Sequence, residues 1–173
     1  RVGYAFTGWY TDSQFTSESK VENTSNYKIS SDTTLYASWI ELGSVREYPI
    51  NDWYTLMSYV ESKSGYSSVD AYITGDLEVY SFLPLRCDVN IIAVESATLL
   101  RQSNFNDSMI KNEYVLTLEG ITLDGNNIEN VSPLIESSAN LILNNCTLQN
   151  NKTSGNGGAV YVDGFTFEMT NSI

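Results

Sequence analysis

Leu116-Thr-Leu-Glu-Gly-Ile-Thr-Leu123 is echoed by Leu141-Ile-Leu-Asn-Asn-Cys-Thr-Leu148, preceded by Ile92-Ala-Val-Glu-Ser-Ala-Thr-Leu99 and followed by Phe167-Glu-Met-Thr-Asn-Ser-Ile173. The four segments align without gaps, and their starts are separated by 24, 25 and 26 residues. Each carries apolar or small side chains at its first, third and sixth positions and a polar or glycine break at its fourth and fifth. Side chains alternate along a strand with a period of two, so the first three residues form a short strand with one apolar face. The break turns a corner, and a second strand follows. A unit of this length cannot bury its own apolar face, so it reads as one coil of a β-solenoid in which stacking supplies the core. Adjacent coils then stand about 4.8 Å apart, and Leu116, Leu141 and Phe167 must occupy adjoining layers.

Working back along the chain, Asn51 or Asp52 can cap a helix running to about Lys63 and ended by Gly65. Trp53, Leu56, Met57 and Val60 fall at i, i+3, i+4 and i+7, which makes one apolar stripe on a polar helix. An open solenoid end exposes unpaired backbone and apolar interior. Residues 51–65 are therefore expected to cap the stack, residues 66–173 to be its start, with further coils beyond, and residues 42–50 to be a linker.

In Asn150-Asn-Lys-Thr-Ser-Gly-Asn-Gly-Gly-Ala-Val-Tyr-Val162, the glycines Gly155, Gly157 and Gly158 permit positive φ, and so a tight corner before a strand at Ala159–Val162. The Asn-Asn, Gly-Gly-Ala-apolar pattern and the Thr-Asn-Ser step after it resemble the right-handed parallel β-helix repeat of polymorphic outer membrane proteins, over about residues 139–173. From about residue 50 onward the chain resembles the pectin-lyase-like fold. The resemblance implies an adhesin-like or autotransported surface protein.

At the other end, Gly3-Tyr-Ala-Phe-Thr-Gly-Trp-Tyr10 and Leu35-Tyr-Ala-Ser-Trp39 alternate aromatic with small residues, the mark of half-buried strands. Between them runs a polar stretch, Thr11 to Ser31, with a short strand expected near Tyr27–Ile29. So small a module needs dense aromatic packing, which Tyr4, Phe6, Trp9, Leu35, Tyr36 and Trp39 could supply. The two segments resemble the signature of the Listeria–Bacteroides repeat, related to the B-repeats of internalins. That resemblance implies a β-grasp-like spacer over residues 1–41, of a kind carried in tandem by microbial surface proteins. The family usually has further strand sequence before the Gly-Tyr segment, so the module is expected to be incomplete. The fold class expected is thus mostly β: a small β-grasp-like aromatic module, then a helix-capped right-handed parallel β-helix.

Composition limits the function. A net charge of −12, from 9 Lys+Arg and 21 Asp+Glu, repels phosphate backbones and anionic headgroups, which disfavours nucleic acid and membrane surfaces. No apolar run reaches the roughly 18 residues that span a bilayer, and no basic-then-apolar leader opens the chain, so signal and anchor are expected elsewhere in a longer parent. Abundant Ser, Thr, Asn and Tyr with 17% charged residues suit an extracellular β-protein.

The chain has no histidine, which removes the commonest general base, the usual triad and most zinc sites. No cofactor or metal is expected. Cys87 and Cys146 are too isolated for a disulfide framework or a metal pair, and Cys146 aligns with inward positions. An enzymatic β-helix would place several carboxylates on neighbouring coils. Here the alignment offers Glu95 over Glu119, then Asn144, and Asp124 over Gln149, all read as solvated surface groups. Asp124-Gly-Asn-Asn127 lacks the acids of a calcium loop and reads as a turn, while Asn126 and Asn151 are expected to stack as an amide ladder. Trp9 and Tyr10 are the candidate glycan contacts, because aromatic faces suit sugar rings; the competing reading buries both in the module's core. The expected protein is a non-catalytic, secreted or cell-surface, adhesin-like spacer whose partners are extracellular glycans or host and neighbouring-cell proteins. The alternative is the start of a polysaccharide lyase or glycoside hydrolase whose catalytic coils lie further on.

Overall fold

The computed structural model describes residues 1–22, 32–130 and 132–173. The chain is mostly β, 46% strand and 7% helix, and divides into two compact units, residues 1–41 and 42–173.

In the first unit, β1 (Tyr4–Tyr10) pairs antiparallel with β2 (Tyr36–Glu41), and a single 3-10 turn spans Ser17–Ser19. The strand expected near Tyr27–Ile29 lies outside the described residues. Phe6 stands opposite Trp39 and Gly8 opposite Ser38, so Thr7 is an extra residue, a β-bulge. Gly8, at φ +147°, supplies the backbone conformation the bulge requires.

The second unit is a parallel β-solenoid of about four turns. Its strands are β3 (Ser68–Val79), β4 (Leu83–Pro84), β5 (Asp88–Arg101), β6 (Ile110–Asn112), β7 (Leu116–Asp124), β8 (Glu129–Asn130), β9 (Ile135–Ser137), β10 (Leu141–Asn144), β11 (Thr147–Gln149), β12 (Lys152–Thr153), β13 (Val160–Val162) and β14 (Phe167–Thr170). One sheet runs β3-β5-β7-β10-β14, with β11 also on β7; a second runs β4-β6-β9-β13; a third is β8-β12. Leu116, Leu141 and Phe167 are in direct register, as the repeat demands. The second inward row is Ala71, Ile91, Leu118, Leu143 and Met169. Each inner residue of that row from Ala71 to Leu143 is fully buried.

The earliest of the four aligned segments, in β5, departs from the gapless alignment. Val89, not Ile92, pairs with Leu116, and Ile92 pairs with Glu119 on the outward face. The ladder breaks between Ile92 and Ala97, where four residues, 93–96, face the single Gly120, and it resumes at Ala97–Ile121. Period two explains the slip. Val89 and Ile91 are apolar in one phase and Ile92 and Val94 in the other, so the apolar pattern alone does not fix the register. The later corners follow one rule: Gly120, Asn145 and Asn171, at φ +70°, +53° and +49°, all turn in the left-handed region, which glycine and asparagine tolerate best. At the motif of residues 155–158, Gly157 takes φ +70°, whereas Gly158 has no positive φ.

Helix α1 (Trp53–Glu61) is shorter than the expected 51–65, since Ser62 closes its last turn by donating to the Tyr59 carbonyl. Asp52 is its N-cap and accepts from the Thr55 N–H at 2.9 Å. Trp53, Leu56, Tyr59 and Val60 join the solenoid's core, and α1 packs on β3 and β4. The capping effect shows in the two ends of the sheet: Ala71 and Ile73 of β3 are fully buried, whereas Phe167 and Met169 of β14 are 42% and 44% exposed. Residues 42–50, read above as a linker, are fastened to β3, the first strand of the stack. Ile50 is fully buried and bridges Ile73, and Gly43 bonds Tyr72. Ile50 is the apolar residue that closes this edge, so the segment is structural.

Neighbouring coils are in close contact at Gly125, where an added Cβ would lie 2.7 Å from both the Asn150 carbonyl oxygen and the Asn151 Cα. Backbone atoms cannot yield as a side-chain tip can. Gly125→Ala is therefore expected to destabilise by about 1–3 kcal/mol, measured as a fall in the urea midpoint. Gly158→Ala, with nothing within 4 Å of the new Cβ, is the matched control and should be near neutral.

Candidate functional site

The bulge in β1 decides which aromatic side chains share a face. Without the extra Thr7, alternation would put Phe6 and Trp9 on opposite sides of the ribbon; with it, Phe6 stands opposite Trp39, Trp9 opposite Ala37, and all three rings share one face. Phe6 meets Trp9 edge to face at 5.4 Å and Trp39 at 5.2 Å, so the three rings form one row. The Thr7 hydroxyl donates to the Ser38 hydroxyl at 2.8 Å across the bulge and holds the kink. Trp9, Trp39 and Phe6 remain 39%, 40% and 45% exposed. The row is a surface platform and not a sealed core.

Tyr10 belongs to the other side. It follows Trp9 directly in the strand, pairs opposite Tyr36 and packs edge to face on Phe15 at 5.3 Å. Trp9 and Tyr10 therefore do not act on one ligand surface. Trp9 meets Phe6, and Phe6 in turn meets Trp39, two rings that the sequence reading treated as core. The signal that could have found them was the Thr7-Gly8 pair inside an otherwise alternating strand.

On the solenoid flank, Glu95 does not stand over Glu119. Glu95 lies in the four-residue corner, and Glu119 is opposite Ile92 on one side and Asn144 on the other. Asp124 does stand over Gln149. Its carboxylate accepts from the Asn126 N–H at 2.7 Å, from Gln149 Nε2 at 2.8 Å and from Asn150 Nδ2 at 3.0 Å. It pins a turn in which Asn126 and Asn127 adopt positive φ. Among the paired strands of the described residues, no acid is in register with another acid. Thr98, Thr122 and Thr147 instead form a β-branched column on the flank.

The asparagine ladder is replaced by an arginine that the sequence reading passed over. Arg101 is fully buried at the end of β5, in register with inward Val79. Its Nη1 donates to Asn151 Oδ1 at 2.7 Å and its Nη2 to the Pro133 carbonyl at 3.1 Å. The Asn126 amide meanwhile donates to the Arg101 carbonyl at 3.2 Å. Three successive coils are thus tied through one side chain. Ala97, Leu99 and Arg101 share the inward phase of a period-two strand, which is the clue that was available.

Cys87 and Cys146 are buried and free. Burial, with Asp88 nearby, pushes the Cys87 thiol above its ordinary pKa, and burial does the same to Cys146. Cys146 faces inward and donates to the Leu118 carbonyl at 3.4 Å, as a small core residue does. Among the described residues no three His, Cys, Asp or Glu side chains gather closely enough to hold a metal ion. No helix among them is long and apolar enough to cross a membrane.

Residues 1–38 match the Listeria-Bacteroides repeat domain. The match covers both strands' aromatic segments up to Ser38, so the Phe6 and Trp9 platform is carried by a repeat that is found in surface proteins. No curated protein and no solved structure matches the chain.

Proposed function

We propose that the chain is a non-catalytic segment of a secreted or cell-surface adhesin-like protein, with the aromatic face of its repeat as a glycan contact and its solenoid as a rigid spacer. The winding is proposed to be right-handed and of the pectin-lyase-like type, in keeping with the handedness of parallel crossovers. The observation that carries the reading is the exposed Trp9–Phe6–Trp39 row. Three large rings that pack on one another yet stay 39–45% exposed make a contiguous apolar patch, the kind of surface that marks an interaction site. Aromatic faces stack on the C–H faces of sugars, and this row is long enough to meet more than one ring. The flank supports the same reading, because a glycosidase needs two carboxylates at a set separation and, among the described residues, the paired coils bring no two acids into register.

A glycan array probed with the full chain and with Trp9→Ala tests this. Retention of at least one glycan class is expected, with at least a tenfold loss in the variant. An array without binders sinks the glycan contact and leaves a bare stalk. Incubation with pectins and uronans should release no product; any turnover would replace this reading with the enzyme.

A further inference from the structure

We propose that Asn156 is a self-modification site: on the corner between β12 and β13 it converts to isoaspartate, through attack of the Gly157 backbone nitrogen on its side-chain amide, and the conversion loosens the solenoid there. Asparagine is among the thermolabile residues, and Asn156-Gly157 is the one Asn-Gly pair in the sequence.

The corner is anchored on both sides and free in the middle. Thr153 Oγ1 accepts from the Gly155 N–H at 3.0 Å, and the Asn151 side-chain amide donates to the Gly158 carbonyl. Between these anchors Asn156 is exposed and lies outside any strand. Among the described residues, neither its amide nor the Gly157 N–H has a hydrogen-bond partner. Gly157 takes φ +70°, and an added Cβ would lie 2.5 Å from the Val160 carbonyl oxygen, so the corner demands glycine after Asn156. The same missing side chain leaves the peptide nitrogen unshielded.

The Gly157 nitrogen bonds to the Asn156 Cγ, its proton leaves with the amide nitrogen as ammonia, and a cyclic succinimide closes. Water then adds to either ring carbonyl and opens the ring, to aspartate or, in excess, to isoaspartate. Water is the sole co-reactant. In isoaspartate the main chain runs through the former side-chain methylene and is longer by that carbon. The added length falls beside the Gly158 carbonyl held by Asn151, whose Oδ1 accepts from Arg101 Nη1 at 2.7 Å, so it disturbs the tie between coils.

Two Asp-Gly pairs could close the same ring. At Asp124 the carboxylate accepts three hydrogen bonds and the Gly125 N–H donates to the Gln149 carbonyl at 2.9 Å, which ties up both reacting groups. Asp163, before Gly164, is exposed, but an ionised carboxylate is a poor electrophile.

The test incubates the full chain in mildly alkaline buffer at body temperature, folded and in urea, and follows every asparagine by peptide mass spectrometry with fragmentation that separates isoaspartate from aspartate. In the folded chain Asn156 should convert at least tenfold faster than any other asparagine, and less than tenfold slower than it does in urea. Failure of either comparison overturns the site. Asn156→Gln should fold and give no isoaspartate at this position. Aged chain, isolated by ion exchange on its added negative charge, should unfold at a lower urea midpoint than fresh chain, whereas Asn156→Asp, with the charge on an ordinary backbone, should match fresh chain. Equal midpoints for aged and fresh chain overturn the loosening.

Discussion

Ile91→Ala lowers the unfolding free energy by about 2–5 kcal/mol, whereas Ile92→Ala, its immediate neighbour, costs about 1 kcal/mol or less. Ile91 is fully buried between Ala71 and Leu118 in the inward row, so truncation opens a cavity with residues packed above and below it. Ile92 points outward over Glu119. The two changes delete the same atoms, so their difference isolates the direction of the side chain. Urea unfolding of both variants measures it. Equal costs, or a larger one at Ile92, would restore the gapless alignment of the β5 segment and refute the four-residue corner at residues 93–96.

Arg101→Ala is expected to be comparably damaging, about 2–5 kcal/mol, the range for emptying the volume of a large buried side chain, with the unmade hydrogen bonds of its neutral partners inside it. The loss has three sources. The bond to the Asn151 amide disappears, the Pro133 carbonyl loses its donor, and the volume of a large side chain is left empty. Against this stands the desolvation of the guanidinium, which also draws its pKa below the ordinary value. Arginine remains protonated at any working pH, so that opposing cost does not vary with acidity. Arg101→Met keeps the apolar stem and discards the buried charge, and should therefore cost less than Arg101→Ala. Thermal or urea unfolding of the pair decides the matter: a change below about 1 kcal/mol in Arg101→Ala would mean that the tie between coils contributes little.

Both experiments bear on how the solenoid could be recognised. Three coils share the spacing seen at Leu116, Leu141 and Phe167 because every coil must present apolar atoms to its neighbours at the strand separation. That demand is periodic, and it leaves a periodic trace. The helix was legible for the same reason: Trp53, Leu56 and Val60 recur at helical spacing and end up buried on the first coil. Its cap, Asp52, was one of two residues that could serve. The first corner was not legible, since Val89, Ile91, Ile92 and Val94 supply apolar side chains in both phases, and a choice between phases is made by the coil above.

For the candidate sites the boundary falls elsewhere. Trp9 could be singled out as an aromatic residue in a strand, but its partners depend on the bulge at Thr7, which is a matter of pairing between β1 and β2.

Periodicity, helix phase, turn residues and charge are properties of the linear chain, and they were enough to specify a stacked β-solenoid with a helical lid and an aromatic strand module before it. Register, the orientation of Ile91 against Ile92, the interior path of Arg101 and the alignment of Phe6, Trp9 and Trp39 arise only when one strand meets another. A slip of one residue costs nothing locally but turns every side chain over. Only packing against the neighbouring layer resolves that choice.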